Sequence, residues 1–141
     1  MDAITLEILR NRLDAIATQM QSTLLRSAVS VIIKEGEDCA CGVFRNNGEL
    51  LAQACANPVH LGIMGPAIAA MLQRFPAETM QPGDVYMLND PYMGGTHLPD
   101  MIMASPVIVD GQLIAMSAAL AHQEDLGGKA FGSMPADATV V

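Results

Sequence analysis

The stretch MIMASPVIVDGQLIAMSAAL, residues 101–120, decides the fold of this chain. Two apolar runs, 101–109 and 112–120, lie on either side of Asp110-Gly111. An Asp-Gly pair between two apolar runs is a strong signal for a tight hairpin turn. The stretch therefore predicts two long antiparallel strands.

Further β structure is predicted around this hairpin. Residues 39–44 and 49–53 flank an Asn-Gly turn and predict a second hairpin, and residues 85–88 predict a short buried strand. The β-branched residues 31–33 also favour extended structure. With one helix before and one helix between these elements, the order predicts an α+β fold with mainly antiparallel β hairpins.

Two helices are predicted. Apolar residues recur at helical spacing over residues 3–28, so we expect one long amino-terminal helix, capped by Asp2, with this face buried. The positions of that face are Ile4, Ile8, Ile16, Met20 and Leu24. Pro66 is expected to begin the second helix, and Pro76 is expected to end it.

Composition narrows the class of protein. The 141 residues suggest a single domain, and the net charge of −8 disfavours binding to nucleic acid. No apolar stretch is long enough for a membrane span, and the amino terminus does not have the pattern of a signal peptide. Three cysteines, Cys39, Cys41 and Cys55, are an odd number, which favours reduced thiols and a cytoplasmic location.

Polar residues lie at the open end of the 101–120 hairpin. His97 and Asp100 precede its first strand, and His122 follows its second strand. If the strands pair around the Asp-Gly turn, residue 100 lies opposite about residue 121, so the three side chains should converge. Two imidazoles and a carboxylate are a common ligand set for Mn²⁺, Fe²⁺ or Zn²⁺. The alternative is an ordinary polar loop, since loops are commonly rich in these residue types.

Other polar residues lie close to these loops in the sequence. Asp90 and Asp125 are candidates to orient a metal ligand or to act as a base. The charged run 34–38 is either a solvated cluster or the source of a further carboxylate ligand. His60 is equally compatible with a structural role and a role in the site.

Four segments carry a resemblance to a known family: IKEGEDCACGVF (33–44), ANPVHLGIMG (56–65), PGDVYMLNDPYMGGTHLPD (82–100) and AHQEDLGGKAFGSMPAD (121–137). In that order they resemble the opening part of the hydantoinase B/5-oxoprolinase family. That family includes the B subunits of ATP-dependent N-methylhydantoinases and the alpha subunits of acetone carboxylases. The resemblance implies that His97, Asp100 and His122 are metal ligands and that Glu35 is a further ligand.

The chain departs from the family pattern in two places and in length. Gln123 stands where the family often has a second His, and Phe131 stands where it often has Pro. Neither departure removes a proposed ligand. Family members continue for hundreds of residues, so residues 1–141 are expected to be the amino-terminal part of a hydantoinase B-like domain that is inactive alone.

The resemblance implies an ATP-dependent hydrolase of the hydantoinase/5-oxoprolinase type, acting on a cyclic amide or imide in a heteromeric complex. A hydantoinase A-like subunit or domain would bind ATP and phosphorylate the substrate, and no GxxxxGK[ST] motif occurs in this sequence. One alternative is a subunit of an acetone carboxylase-like enzyme. Another is a non-catalytic remnant or assembly module.

Overall fold

Five antiparallel strands form one sheet in the computed structural model, which describes residues 2–54, 57–133 and 135–139. In chain order the strands are β1 (Cys39–Arg45), β2 (Leu50–Gln53), β3 (Tyr86–Leu88), β4 (Asp100–Val109) and β5 (Gln112–His122). Their order across the sheet is β2-β1-β5-β4-β3. The α+β class and both predicted hairpins are confirmed.

The central hairpin has the turn that its sequence predicts. Asp110 and Gly111, which join β4 to β5, have φ angles of 50° and 75°. Positive φ at both central residues is the geometry of a type I′ turn, whose twist matches that of the paired strands. The turn therefore sets the pairing of the two longest strands.

Helix α1 (Ala3–Ser27) has the predicted length, but the predicted burial of its apolar face is wrong at three of the five positions. Ile4, Ile8 and Ile16 are exposed, whereas the buried residues of the helix are Ala17 and Gln21. The helix packs on β1 and β2 from Leu13 onward, where Leu13 and Ala17 meet Ala52 and Ala54 of the sheet region.

The first part of α1 has no such cover among the described residues, and residues 2–12 are all exposed. Met20 and Leu24, nearer the packed end, are half-buried, as a face turned toward the sheet requires. Helical spacing identified the apolar stripe, but the position of the sheet decides how much of that stripe is covered.

Helix α3 (Pro58–Arg74) begins eight residues earlier than Pro66, so that predicted start is wrong. Asn57 caps the helix by accepting a hydrogen bond from Val59 N (3.2 Å), and Pro58 occupies its first turn. Pro66 lies inside the helix. A proline cannot donate the backbone hydrogen bond expected at this position. Burial of neighbouring residues such as Ile68 against the sheet offsets the loss of that bond.

The β-branched residues 31–33 do not form β structure. They belong to the short helix α2 (Val31–Lys34), whose first turn is held by Glu124. Glu124 Oε1 accepts hydrogen bonds from Ser30 Oγ (3.0 Å) and Val31 N (3.1 Å). A contact from the loop after β5 thus overrides the local propensity for strand.

The core lies between α3 and one face of the sheet. Its largest buried side chains are Phe44, Met64, Ile68, Ile102, Met116 and Leu120. Cys39 and Cys41 are buried and free of disulfides, while Cys55 and Met134 lie outside the described residues. Among the described helices, none is both long enough and apolar enough to cross a bilayer.

Candidate metal centre

The β4–β5 register places two of the predicted ligands side by side. Asp100, the first residue of β4, pairs with His122, the last residue of β5. The pairing differs by one position from the expected partner, residue 121, because the register shifts between Val107 and Ile108. The shift brings His122 itself, rather than its neighbour, opposite the carboxylate.

The three predicted side chains converge at this end of the hairpin. His122 Nδ1 lies 2.7 Å from Asp100 Oδ1, and His97 Nδ1 lies 3.1 Å from Asp100 Oδ2. One ligand atom from each residue can be chosen so that all lie within 4.8 Å of one another. They are the one such cluster of three or more His, Cys, Asp or Glu residues in the described part of the chain.

Asp100 is the centre of this arrangement and is inaccessible to solvent. Burial raises the pKa of its carboxyl group, and this is the largest single effect. Hydrogen bonds from the Thr96 hydroxyl, the His122 ring and the His97 backbone N–H together outweigh burial and hold the pKa below its ordinary value. The site therefore contains a buried negative charge.

The loop before β4 is built to present His97. Asp90 caps a single 3₁₀ turn, Pro91–Met93, by accepting a hydrogen bond from Tyr92 N (2.8 Å). Gly94 follows with φ of 98° and lies so close to α3 that a Cβ atom would be 3.0 Å from the Cα of Ala67. The loop is thereby held against the helix while the His97 side chain stays 61% exposed.

A second histidine–carboxylate pair lies next to His122. Asp38, just before β1, has Oδ2 4.0 Å from His122 Nδ1 and Oδ1 2.5 Å from His60 Nε2. Its backbone carbonyl also accepts a hydrogen bond from His122 N (3.1 Å). Nothing in the sequence indicated that Thr96 binds Asp100. The sequence offered the charged run 34–38 and His60 as possible contributors to the site, but it did not indicate that Asp38 and His60 meet each other.

The other sequence candidates lie around the cluster rather than in it. Glu35 follows α2, is exposed, and takes part in no hydrogen bond or ion pair found among the described side chains. Asp90 holds its own 3₁₀ turn.

Asp125 stabilises the loop after β5. It accepts hydrogen bonds from Gly127 N (2.7 Å), Gly132 N (3.2 Å) and Ser133 Oγ (2.8 Å). The bond from Gly127, followed by those from Ser133 and Gly132, lowers the pKa of Asp125. Both carboxylate oxygens are already occupied by the loop.

The converging residues fit a divalent cation by the chemistry of their donor atoms. Two imidazole nitrogens approach one buried carboxylate, and a buried carboxylate is stabilised by a positive charge among its neighbours. Metal–ligand bonds of about 2.0–2.2 Å place two ligands of one ion at most about 4.4 Å apart. The ligand atoms of the three residues lie within 4.8 Å of one another, so a small inward movement of the side chains would bring all three within bonding distance of one ion.

The chain is an α+β domain with a candidate metal centre at one end of its central hairpin, and comparison with known proteins identifies the family. Residues 2–141 match the family model described as Hydantoinase B/oxoprolinase. The chain belongs to the hydantoinase B/oxoprolinase family.

Individual relatives agree with this assignment. 5-oxoprolinase 1 of Arabidopsis thaliana is 40% identical over 134 residues, which are 95% of this chain and 10% of that protein. The crystal structure of the ATP-dependent caprolactamase from Pseudomonas jessenii matches with a TM-score of 0.78 and 28% identity, over 92% of this chain and 22% of that chain.

A nucleotide-free structure of acetone carboxylase shares the fold. It matches with a TM-score of 0.79 and 24% identity, over 88% of this chain and 16% of that chain. The chain spans about a tenth of the length of the 5-oxoprolinases that head its curated relatives.

Proposed function

We propose that this chain provides the divalent-metal centre of an ATP-dependent hydrolase of the hydantoinase/5-oxoprolinase type, acting on a cyclic amide or imide. The observation that carries the proposal is the convergence of His97, Asp100 and His122 at the open end of one hairpin. Their donor atoms suit Mn²⁺, Zn²⁺ or Fe²⁺.

Each residue of the centre has a distinct task. His97 and His122 offer ring nitrogens, and Asp100 offers a carboxylate oxygen whose charge offsets part of the charge of the cation. Thr96 and the backbone N–H of His97 hold that carboxylate in one orientation. A divalent cation held there supplies Lewis acidity toward water and toward the substrate carbonyl.

An acidic side chain is needed to move a proton, and Asp90 is better suited than Asp125. Asp125 has both oxygens engaged and a lowered pKa, so it accepts a proton weakly. Asp90 uses one oxygen in its turn and lies on the exposed loop that carries His97. Glu35 remains a predicted further ligand, although Asp38 is the acid of that segment with a described approach to His122.

The substrate class is supported by the names of similar proteins. They include 5-oxoprolinases and an ATP-dependent caprolactamase, and 5-oxoproline and caprolactam are both cyclic amides. Amide resonance makes such a carbonyl a poor electrophile. We therefore expect this chain to act on a substrate that ATP has activated on a hydantoinase A-like partner subunit or domain.

The surface of α1 supports assembly with further protein. Ile4, Leu6 and Ile8 are 75%, 56% and 49% exposed, which is unusual for three large apolar residues so close together. The 5-oxoprolinases among its curated relatives are about ten times longer than this chain. We propose that residues 1–141 are the amino-terminal part of a larger hydantoinase B-like unit in the cytoplasm, and that its other parts cover this face.

The proposal is tested by combining the larger hydantoinase B-like unit that contains residues 1–141 with an ATP-binding A-type subunit and measuring ADP formation that depends on 5-oxoproline or a hydantoin. We expect turnover to be lost in His97→Ala and His122→Ala and kept in Asp110→Asn, an acid at the far end of the same hairpin. Unchanged turnover in both histidine variants would contradict the proposal. Consumption of a ketone that requires bicarbonate would instead favour a carboxylase.

A further inference from the structure

His60 and Asp38 form a pair that the proposed chemistry does not use. His60 lies in the first turn of α3 with 4% of its surface exposed, and its Nε2 atom is 2.5 Å from Asp38 Oδ1. Asp38 is the residue before β1. The pair thus joins the start of the core helix to the edge of the site, 22 positions apart in the sequence.

Asp38 in turn lies against His122. Its carbonyl oxygen accepts the backbone N–H of His122, and its Oδ2 atom faces His122 Nδ1 at 4.0 Å. The carboxylate therefore has one oxygen toward His60 and the other toward His122. A rotation of the Asp38 side chain would change the surroundings of His122 Nδ1, the atom that also lies 2.7 Å from Asp100 Oδ1.

Little besides His60 holds the Asp38 carboxylate in that orientation. The other described donor to it is the exposed Asn57 amide, at a longer distance of 3.4 Å. The Asp38 side chain is 29% exposed, so water can compete for it. The backbone next to Asp38 is also strained. Glu37, the preceding residue, has a left-handed φ of 50°, which costs about 1 kcal/mol or more for a residue with a side chain.

We infer that His60 is a positioning residue of the metal centre: it fixes the Asp38 carboxylate against His122 and so sets the geometry and affinity with which the centre holds its ion. This inference rests on the proposed function. Partners that orient metal ligands typically change metal affinity by about 10- to 100-fold when they are lost.

Two polar substitutions separate positioning from mere packing. The amide nitrogen of Gln can replace the Nε2 atom of His, whereas that of Asn matches the Nδ1 atom and cannot reach Asp38. We therefore compare His60→Gln with His60→Asn. Met64→Leu, a conservative change of a fully buried residue one turn along α3, is the matched control for helix packing.

The measurements are Zn²⁺ affinity by calorimetry and the visible absorption spectrum of bound Co²⁺, both on the 141-residue chain. We expect His60→Asn to weaken Zn²⁺ binding about tenfold or more and to alter the Co²⁺ spectrum. We expect His60→Gln to recover most of the affinity and Met64→Leu to behave as wild type. Thermal midpoints without metal establish that each variant is folded.

The outcomes distinguish this inference from the proposed function. Wild-type Zn²⁺ binding that is lost in His97→Ala but unchanged in His60→Asn would overturn the role of His60 alone. Equal losses in His60→Gln and His60→Asn, or a loss in Met64→Leu, would also overturn it. A wild-type chain that binds no metal would overturn the metal centre itself and His60 with it.

Discussion

Replacing Asp100 by Asn removes the negative charge at the centre of the site and leaves its shape almost unchanged. The carbonyl oxygen of Asn can still accept the hydrogen bonds that Thr96 and His97 N donate to Asp100 Oδ2. The amide nitrogen would then face His122 Nδ1, where Asp100 Oδ1 now lies at 2.7 Å. All three hydrogen bonds to this side chain change from charge-assisted to neutral, but the cost of burying the charge is also removed, so we expect the metal-free chain to lose only about 1–2 kcal/mol of unfolding free energy.

Asp100→Asn should have a larger effect on the stabilisation that a bound metal ion gives to the folded chain. A metal ion supplied at one hundred times its dissociation constant stabilises the folded chain by about 2.7 kcal/mol. For a chain of this length, that stabilisation raises the thermal midpoint by roughly 10 °C. If loss of the carboxylate weakens binding about a hundredfold, the same metal concentration contributes only about 0.4 kcal/mol, or roughly 1–2 °C.

The assay is thermal unfolding of wild type and Asp100→Asn, each with and without Zn²⁺ or Mn²⁺ at a fixed concentration. Asp110→Asn, which removes an exposed charge at the far end of the same hairpin, is the control and should keep the full metal-induced shift. An equal shift in Asp100→Asn and wild type would refute the argument, because it would show that the buried carboxylate is not a ligand.

Three further predictions concern activity, thiols and backbone. The chain alone is expected to show no ATP-dependent hydrolysis, since its sequence has no phosphate-binding loop motif, and ADP release measured without a partner checks this. In a Cys55→Ser background, a thiol reagent at pH 8 should reach Cys39 and Cys41 only after unfolding, because both are buried and burial raises the pKa of Cys41 to about 12. Gly94→Ala should lower the unfolding free energy by about 1–3 kcal/mol in a denaturant titration, because φ is 98° and a Cβ would crowd the backbone of Ala67.

The part of the site that the sequence predicts is the part set by local pairing. An Asp-Gly turn determines which residues of two adjacent strands lie opposite each other, so residues at and next to the open ends of those strands must meet. His97, Asp100 and His122 converge for this reason. The one-position difference in register arises from an irregularity near the turn that the apolar pattern does not reveal.

The pair of Asp38 and His60 depends instead on how α3 lies on the sheet. Asp38 precedes β1, and His60 lies in the first turn of α3, which begins at Pro58 rather than at Pro66. Local signals placed the helix start wrongly, because a proline inside a helix is unfavourable unless packing offsets its cost. No spacing in the sequence indicates that these two side chains meet.

The amino-acid sequence by itself determined the α+β class, the two hairpins, the long first helix and the meeting of three ligand-type side chains, because each follows from turn chemistry or periodicity over a short stretch. Only the tertiary structure decided which part of α1 is covered, that residues 31–33 form a helix and that Asp38 stands between His60 and His122. These features depend on contacts between distant segments, and such contacts outweigh local propensities of a few tenths of a kcal/mol to about 1 kcal/mol per residue.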